Sequence, residues 1–278
     1  LVCGLTLLYL TGITDDLIGV RYRQKFVIQI LCACFFSIAE LWINDLYGLL
    51  GIYAIPNWIG IPFTILTIVF ITNAINLIDG IDGLASGLSS VALLVFGLLF
   101  IEKGLWMYSM LAFSTLGVLV PFFYYNVFGN AERARKIFMG DTGSLTLGYI
   151  LSFLAIKYSQ NNPEVISNTK GTFLIAFSTL IIPAFDVIRV VMVRLRNGKS
   201  PFEPDKNHIH HKFLALGFSH RAAMITILLI SAGFAAMNLL LLTRININLL
   251  LFLDIFIWTI MQLYLTKKIN RKVAGSKA

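Results

Sequence analysis

Apolar positions along the chain gather into nine runs, at roughly 1–14, 25–43, 58–79, 84–102, 105–128, 144–159, 170–195, 222–243 and 247–266. A helix needs about 20 apolar residues to cross a bilayer. Most runs reach or approach that length; the first and sixth are short. The pattern predicts an all-α fold, a polytopic membrane helix bundle of about nine transmembrane helices forming one integral membrane domain over 1–278. There is no internal repeat and no low-complexity stretch.

Composition and charge then orient the bundle. Hydrophobic residues make up 58% of the 278 residues and charged residues 13%, against about 25% charge in a soluble domain. The net charge of +8 would suggest nucleic acid in a soluble protein. Here the basic residues sit at the ends of apolar runs, so membrane orientation accounts for them and no nucleic-acid partner is expected. Arg21, Arg23, Lys25, Arg133, Arg135, Lys136, Arg189, Arg194, Arg196, Lys199, Lys206, Lys212, Arg221, Lys267, Lys268, Arg271, Lys272 and Lys277 all fall on one side. Lys103, Lys157, Lys170 and Arg244 fall on the other. That 18-to-4 division predicts cytoplasmic loops near 15–25, 79–84, 129–143 and 196–221 and a basic cytoplasmic tail at 267–278. The loop at 44–57 lies outside and is bland, with one acid, Asp45. The chain begins without an initiator Met or a basic leader, which predicts no signal peptide and a start within a helix, with upstream residues missing. Cys3, Cys32 and Cys34 lie inside apolar runs with no histidine beside them, so they are expected to be buried thiols.

Polar chemistry collects on the same side as the bases, in four constellations. Asp15-Asp16 ends the first run; adjacent carboxylates repel, so they suit a divalent cation or a proton-transfer role, or else a solvated helix end beside Lys25. Asn73, Asn76, Asp79 and Asp82 recur every three residues. That spacing turns a helix by about 300° per step, so one straight helix cannot aim all four at one point. Gly80 and Gly83 predict that the helix ends near Asp79 and that the chain re-aims Asp82. Gly140-Asp141-Thr142-Gly143-Ser144 reads either as a helix cap or as backbone N–H groups offered to phosphate, with Asp141 poised for Mg²⁺. His208, His210 and His211 follow Arg194 and Arg196 and suit a pyrophosphate oxyanion. Zinc and a merely solvated basic loop are the alternatives.

Together these stretches resemble the polyprenyl-phosphate N-acetylhexosamine-1-phosphate transferase family (glycosyltransferase family 4 type) over residues 1–222. The marks are TDD at 14–16 with Lys25 following, NAINLIDGIDGLASG at 73–87, Asn126 ahead of KIFMGDTGS at 136–144, IPAFD at 182–186 and RLRNGKSPFEPDKNHIHH at 194–211. The SPFxPDxxHxHH loop is similar to that of the WecA/TagO-like branch. That branch implies eleven helices, with run 1 matching the third and the first two absent here. The resemblance implies catalytic roles for Asp15 and Asp16 and a Mg²⁺ site at Asp141 and Asp16, with Mn²⁺ as a substitute. It implies substrate contacts at Lys25, Asn76, Asp79, Asp82, Asn126, Phe138, Arg194, His208, His210 and His211, and support from Asp186. The implied reaction moves a sugar-1-phosphate, GlcNAc-1-phosphate first among the choices, from a UDP-N-acetylhexosamine to undecaprenyl phosphate. UMP is released, and the setting is cell-envelope polysaccharide synthesis at the bacterial cytoplasmic membrane. A homodimer is implied by the resemblance alone.

Two other classes compete. A transporter places ionisable groups near the bilayer midplane, whereas only Asp254 here lies deep in a run. A non-catalytic scaffold predicts indifference to Asp141. A CDP-alcohol phosphotransferase would need an arginine shortly after Asp82-Gly83, where the chain reads Leu84-Ala85-Ser86.

Overall fold

The structure, a computed structural model, describes residues 1–162, 171–200 and 207–275. Lys170, Lys206 and Lys277, counted in the sequence argument, lie outside the described residues, as do positions 201–206 of the motif at 194–211. Eleven helices and one hairpin are described. They are α1 (Val2–Ile18), α2 (Tyr22–Ile38), β1 (Asp45–Leu49), β2 (Ile52–Ala54), α3 (Asn57–Ile78), α4 (Leu84–Glu102) and α5 (Trp106–Phe128), then α6 (Gly140–Ser159), α7 (Thr172–Ser178), α8 (Ile181–Arg196), α9 (Ile209–Ala215), α10 (His220–Leu241) and α11 (Ile247–Gly275).

Each apolar run becomes helix because a backbone in an apolar medium must satisfy its own N–H and C=O groups. Five helices, α3, α4, α5, α10 and α11, are long and apolar enough to cross a membrane, and the bent pair α7–α8 makes a sixth if it is one span. The expected count of about nine is not confirmed, since α1 and α2, with 17 residues each, and α6 are not among them. The chain is a multi-pass helical membrane protein. Run 7 is not one straight helix: α7 and α8 meet at 79°, with Thr179 and Leu180 between them. Run 2 also stops early, at Ile38, and Glu40 turns the chain with φ 55°.

The loop at 44–57 folds, contrary to its bland appearance, into an antiparallel hairpin with Asp45 opposite Ala54 and Leu49 opposite Ile52. Its two turn residues, Leu50 and Gly51, have φ of 53° and 76°, the left-handed pair that suits a two-residue hairpin. Asn248 fixes the turn, donating from Nδ2 to the Gly48 carbonyl and accepting from the Leu50 amide. This hairpin precedes α3, so it caps the bundle end remote from Asp79.

Helix α6 is the hub. Its buried residues point in all directions, from Ser144 to Ser159, and it packs between α1 and α3 by way of glycines. A Cβ on Gly148 would lie 2.7 Å from Thr72 Cα of α3, and one on Gly12 of α1 would lie 2.3 Å from Thr142 Cα. Small residues at such crossings let helix backbones approach closely, which is how helices associate where lipid competes for apolar surface. The outcome is that the polar ends of α1, α3 and α6 meet.

Candidate active site

The first-run acids lie within the last turn of α1, which extends to Ile18. Lys25, in the first turn of α2, reaches back across the three-residue link and donates to Asp15 Oδ2 at 2.5 Å. The same ammonium donates to Asp141 Oδ2 at 2.5 Å. One cation is thus shared by two carboxylates from different helices. Asp15 Oδ1 also accepts the Val20 amide. On the other side of Asp141, Asn76 Nδ2 of α3 donates to Asp141 Oδ1 at 2.9 Å and to Ser144 Oγ at 2.8 Å.

Asp16 does something different. Its carboxylate accepts the backbone amides of Asp141 (2.8 Å) and Thr142 (3.1 Å) and the Thr142 hydroxyl (2.6 Å). It therefore caps α6 from another helix, where the helix dipole and the orphan amides favour an anion. Gly140 is required in this contact: its φ is 62°, and a Cβ there would lie 2.6 Å from Asp16 Oδ2. The capping reading of the Gly-Asp-Thr-Gly-Ser stretch describes the structure, with the cap supplied by the Asp16 carboxylate.

The every-third-residue stripe divides as its geometry requires. Asn73 turns away and donates to Gln29 Oε1 of α2 and to the Val69 carbonyl. Asn76 faces the carboxylates. Helix α3 ends at Ile78, and Gly83, left-handed at φ 79°, starts α4. Asp79 sits in the break, where burial first, then Asp141 and Asp82, push its carboxyl up to about 6. Asp82 is re-aimed onto Lys136 at 2.6 Å. Asn126 braces this turn, accepting the Gly83 amide (2.6 Å) and donating to the Ile137 carbonyl (2.8 Å). Phe138 next to it is 72% exposed, an aromatic surface open to a ring, with Lys136 Nζ of the neighbouring turn 5.5 Å from its centroid.

The histidines arrive from α8 and α9. Asp186 of α8 is fully buried. It pairs with His208 Nδ1 at 2.8 Å, accepts the Ile209 amide at 3.0 Å and pairs with Arg189 at 2.9 Å. It so fixes the start of α9. His210 stacks on His208 at 5.9 Å, lies tilted against His211 at 4.1 Å and is buried, with neither ring nitrogen hydrogen-bonded. Burial, then the neighbouring imidazoles His211 and His208, pull it down to about 4. A Cβ on Gly80 would lie 2.3 Å from His210 Nε2, so the histidine arm seats directly on the Asp79–Asp82 turn. Arg194, at the end of α8, is buried.

The structure therefore brings Asp15, Asp16, Lys25, Asn76 and Asp141 into one bonded cluster, with Asp79 beside it and Asp82 in the same turn, and sets His210 against that turn. Asn126 acts through backbone contacts. Lys136, Thr142 and Ser144 were missed as site residues, although all three stand in the motif at 136–144; the signal was their place beside Asp141. Asp254, the one deep acid, is buried and accepts the Asn238 amide at 3.0 Å, as a helix-to-helix clamp would.

Among known proteins, the chain is 34% identical over 241 residues to a probable undecaprenyl-phosphate N-acetylglucosaminyl 1-phosphate transferase of Bacillus subtilis. It is 31% identical over 236 residues to the undecaprenyl-phosphate alpha-N-acetylglucosaminyl 1-phosphate transferase of Yersinia pestis, and 29% over 242 residues to that of Escherichia coli K12. These matches cover 84, 84 and 86% of this chain but 62, 63 and 64% of the relatives, so the chain spans less than two thirds of their length. The model of glycosyl transferase family 4 matches residues 1–159, the stretch that holds α1 to α6 and every carboxylate of the cluster. On that match, the chain belongs to glycosyl transferase family 4.

Proposed function

We propose that the chain transfers a sugar-1-phosphate, GlcNAc-1-phosphate by preference, from a UDP-N-acetylhexosamine to undecaprenyl phosphate. A phosphate oxygen of the lipid attacks the sugar-bearing phosphorus and the bond to UMP breaks, which leaves polyprenyl-pyrophosphate-sugar. The observation that carries this reading is the Asp15–Lys25–Asp141 bridge at the polar ends of apolar helices, in a chain similar to enzymes named for that acceptor. The 18-to-4 division of basic residues supports a site on the cytoplasmic face of the bacterial cytoplasmic membrane.

Both substrates are anions, so the protein must position them and neutralise charge. Lys25 and Lys136, each paired with carboxylates of the site, supply positive charge there, and Arg194 of α8 is a further phosphate contact in this reading. Phe138 offers its open face to the uracil ring, and the α9 histidines meet the pyrophosphate and sugar. Lys25 exchanges its carboxylates for the incoming lipid phosphate, which leaves Asp15 to receive that phosphate's proton. Among the described residues, no three His, Cys, Asp or Glu side chains form a ready metal cluster. Yet two carboxylates that already share one ammonium are a hard-oxygen donor set that fits Mg²⁺ or Mn²⁺. Asp141 with Asp15 would hold the ion, as would Asp16 where it leaves α6. When bound, the ion supplies charge neutralisation for the pyrophosphate.

The test is transfer of radiolabelled sugar-phosphate from UDP-GlcNAc to undecaprenyl phosphate by detergent-purified protein. Label is expected in the lipid fraction, lost on chelation and in Asp141→Ala. No transfer from any of a panel of UDP-sugars would overturn the reading.

A further inference from the structure

Helices α8 and α11 do not close against each other along their length. Between them, with α9 across one end, lies a groove of about 670 Å³. None of its lining residues belongs to the carboxylate cluster. Its floor is Phe185 against Trp258, ring centroids 5.9 Å apart. Ile188 and Met192 of α8 form one exposed apolar wall, and Ile255 and Leu263 of α11 the other. Its far end is basic, lined by Arg196 of α8 and Lys212 of α9, with Arg189 part way along beside Ile188.

The polarity follows the helix directions. Both α8 and α11 run from an apolar start toward basic ends, Arg194-Leu-Arg196 and Lys267-Lys268. Lys212 spans from α9 to α11, donating to Gln262 Oε1 at 2.8 Å and Thr266 Oγ1 at 2.9 Å. Ile188 and Ile255 therefore sit deeper in the bilayer than Arg196 and Lys212, as acyl chains sit deeper than a phosphate.

Among the described residues, no lining side chain is acidic. Arg189 is paired with Asp186, whose carboxylate also holds His208 and the Ile209 amide. The described partners of Lys212, Gln262 and Thr266, are neutral, and burial, then Arg189, pull its ammonium down to about 8. Basic side chains at the membrane surface favour a lipid of net negative charge over a zwitterionic one, whose own cation offsets the attraction.

We propose that the α8–α9–α11 groove binds an anionic glycerophospholipid of the surrounding bilayer, its phosphate at Arg196 and Lys212 and its acyl chains between Ile188, Met192, Ile255 and Leu263. This site is separate from the one that takes the acceptor lipid, and the inference holds whichever reaction the carboxylates catalyse.

Trp258 on the groove floor provides the probe. The protein is placed in nanodiscs containing phosphatidylglycerol or phosphatidylcholine brominated in the acyl chains, and tryptophan quenching is measured. The brominated anionic lipid is expected to quench more than the zwitterionic one at equal mole fraction. The difference should vanish in Trp258→Phe and weaken about fivefold in apparent lipid preference for each cation removed, in Arg196→Gln and then in Arg196→Gln/Lys212→Gln. Arg196 is exposed, so its single variant tests the idea even if the double variant fails to fold. Equal quenching by both lipids would overturn the proposal, as would a preference unchanged in Arg196→Gln. Relief of quenching by a small mole fraction of undecaprenyl phosphate would overturn it in favour of an acceptor site.

Discussion

Substituting alanine for Gly12 tests whether the carboxylate cluster depends on the α1–α6 crossing. A Cβ at that position would lie 2.3 Å from Thr142 Cα and 2.7 Å from Thr142 N, both backbone atoms, where ordinary contact begins at 3.4 Å. The helices must separate by about 1.1 Å, the difference between 3.4 and 2.3 Å. The Asp16 bond to the Asp141 amide, now 2.8 Å, then opens by the same 1.1 Å to 3.9 Å, beyond hydrogen-bond range. Overpacking costs about 1–3 kcal/mol, and a lost bond to a charged group about 1.5–3 kcal/mol. A misplacement of about 1 Å can cost about 100-fold in rate. Gly12→Ala should therefore lower both the thermal midpoint in detergent and, by about two orders of magnitude, sugar-phosphate transfer. Gly117→Ala in α5 is the control: nothing lies within 4 Å of its Cβ, so the helix should gain roughly 0.5–1 kcal/mol. Wild-type melting and transfer in Gly12→Ala would refute the claim that α1 and α6 set the site as one unit.

Lys25→Met removes the ammonium shared by Asp15 and Asp141; the two carboxylates should then bind Mn²⁺ more tightly, read by electron paramagnetic resonance, while transfer is lost. Unchanged Mn²⁺ affinity would show that lysine and metal do not compete for these oxygens. Asp186→Asn withdraws the charge that holds His208 and Arg189; breaking such a buried pair costs about 3–5 kcal/mol, so transfer and thermal stability should both fall, and Asp186→Glu should not restore them. Asp79 is raised from 3.8 to about 6, so its charged form is disfavoured by folding. With metal chelated, Asp79→Asn should stabilise the protein fully above about pH 6, progressively less as pH falls, and not at all below about pH 4; a gain independent of pH would contradict this.

Much of this arrangement was legible in the residues. The apolar runs located the membrane helices because a span leaves a continuous signal of some 20 residues. The three-residue spacing of Asn73 to Asp82 ruled out a single straight helix aiming all four groups together, and Gly80 and Gly83 placed its end near Asp79, where α3 does stop. What stayed hidden depends on contacts between distant segments. Asp16 capping α6 needs the Gly12–Thr142 approach, and no local pattern encodes a cap supplied by another helix. The 44–57 hairpin was missed because its strands are five and three residues long and its turn is Leu50-Gly51 rather than an asparagine-glycine pair. Run 7 carried a break signal in Pro183, which cannot bond the Thr179 carbonyl and crowds it, but the continuous hydropathy of the run read as a single span.

That bend separates the mechanics of the two halves of the site. The carboxylates stand on helices locked together by backbone-to-backbone glycine contacts, whereas the histidine arm hangs from α8, a 16-residue helix set at 79° to its predecessor. A thicker or thinner bilayer changes helix tilt at modest energetic cost, and His210 lies against Gly80, so a tilt of α8 would load the Asp79–Asp82 turn directly. The lipid composition of the membrane would then act on the site through that turn rather than through the glycine contacts of α1 and α6.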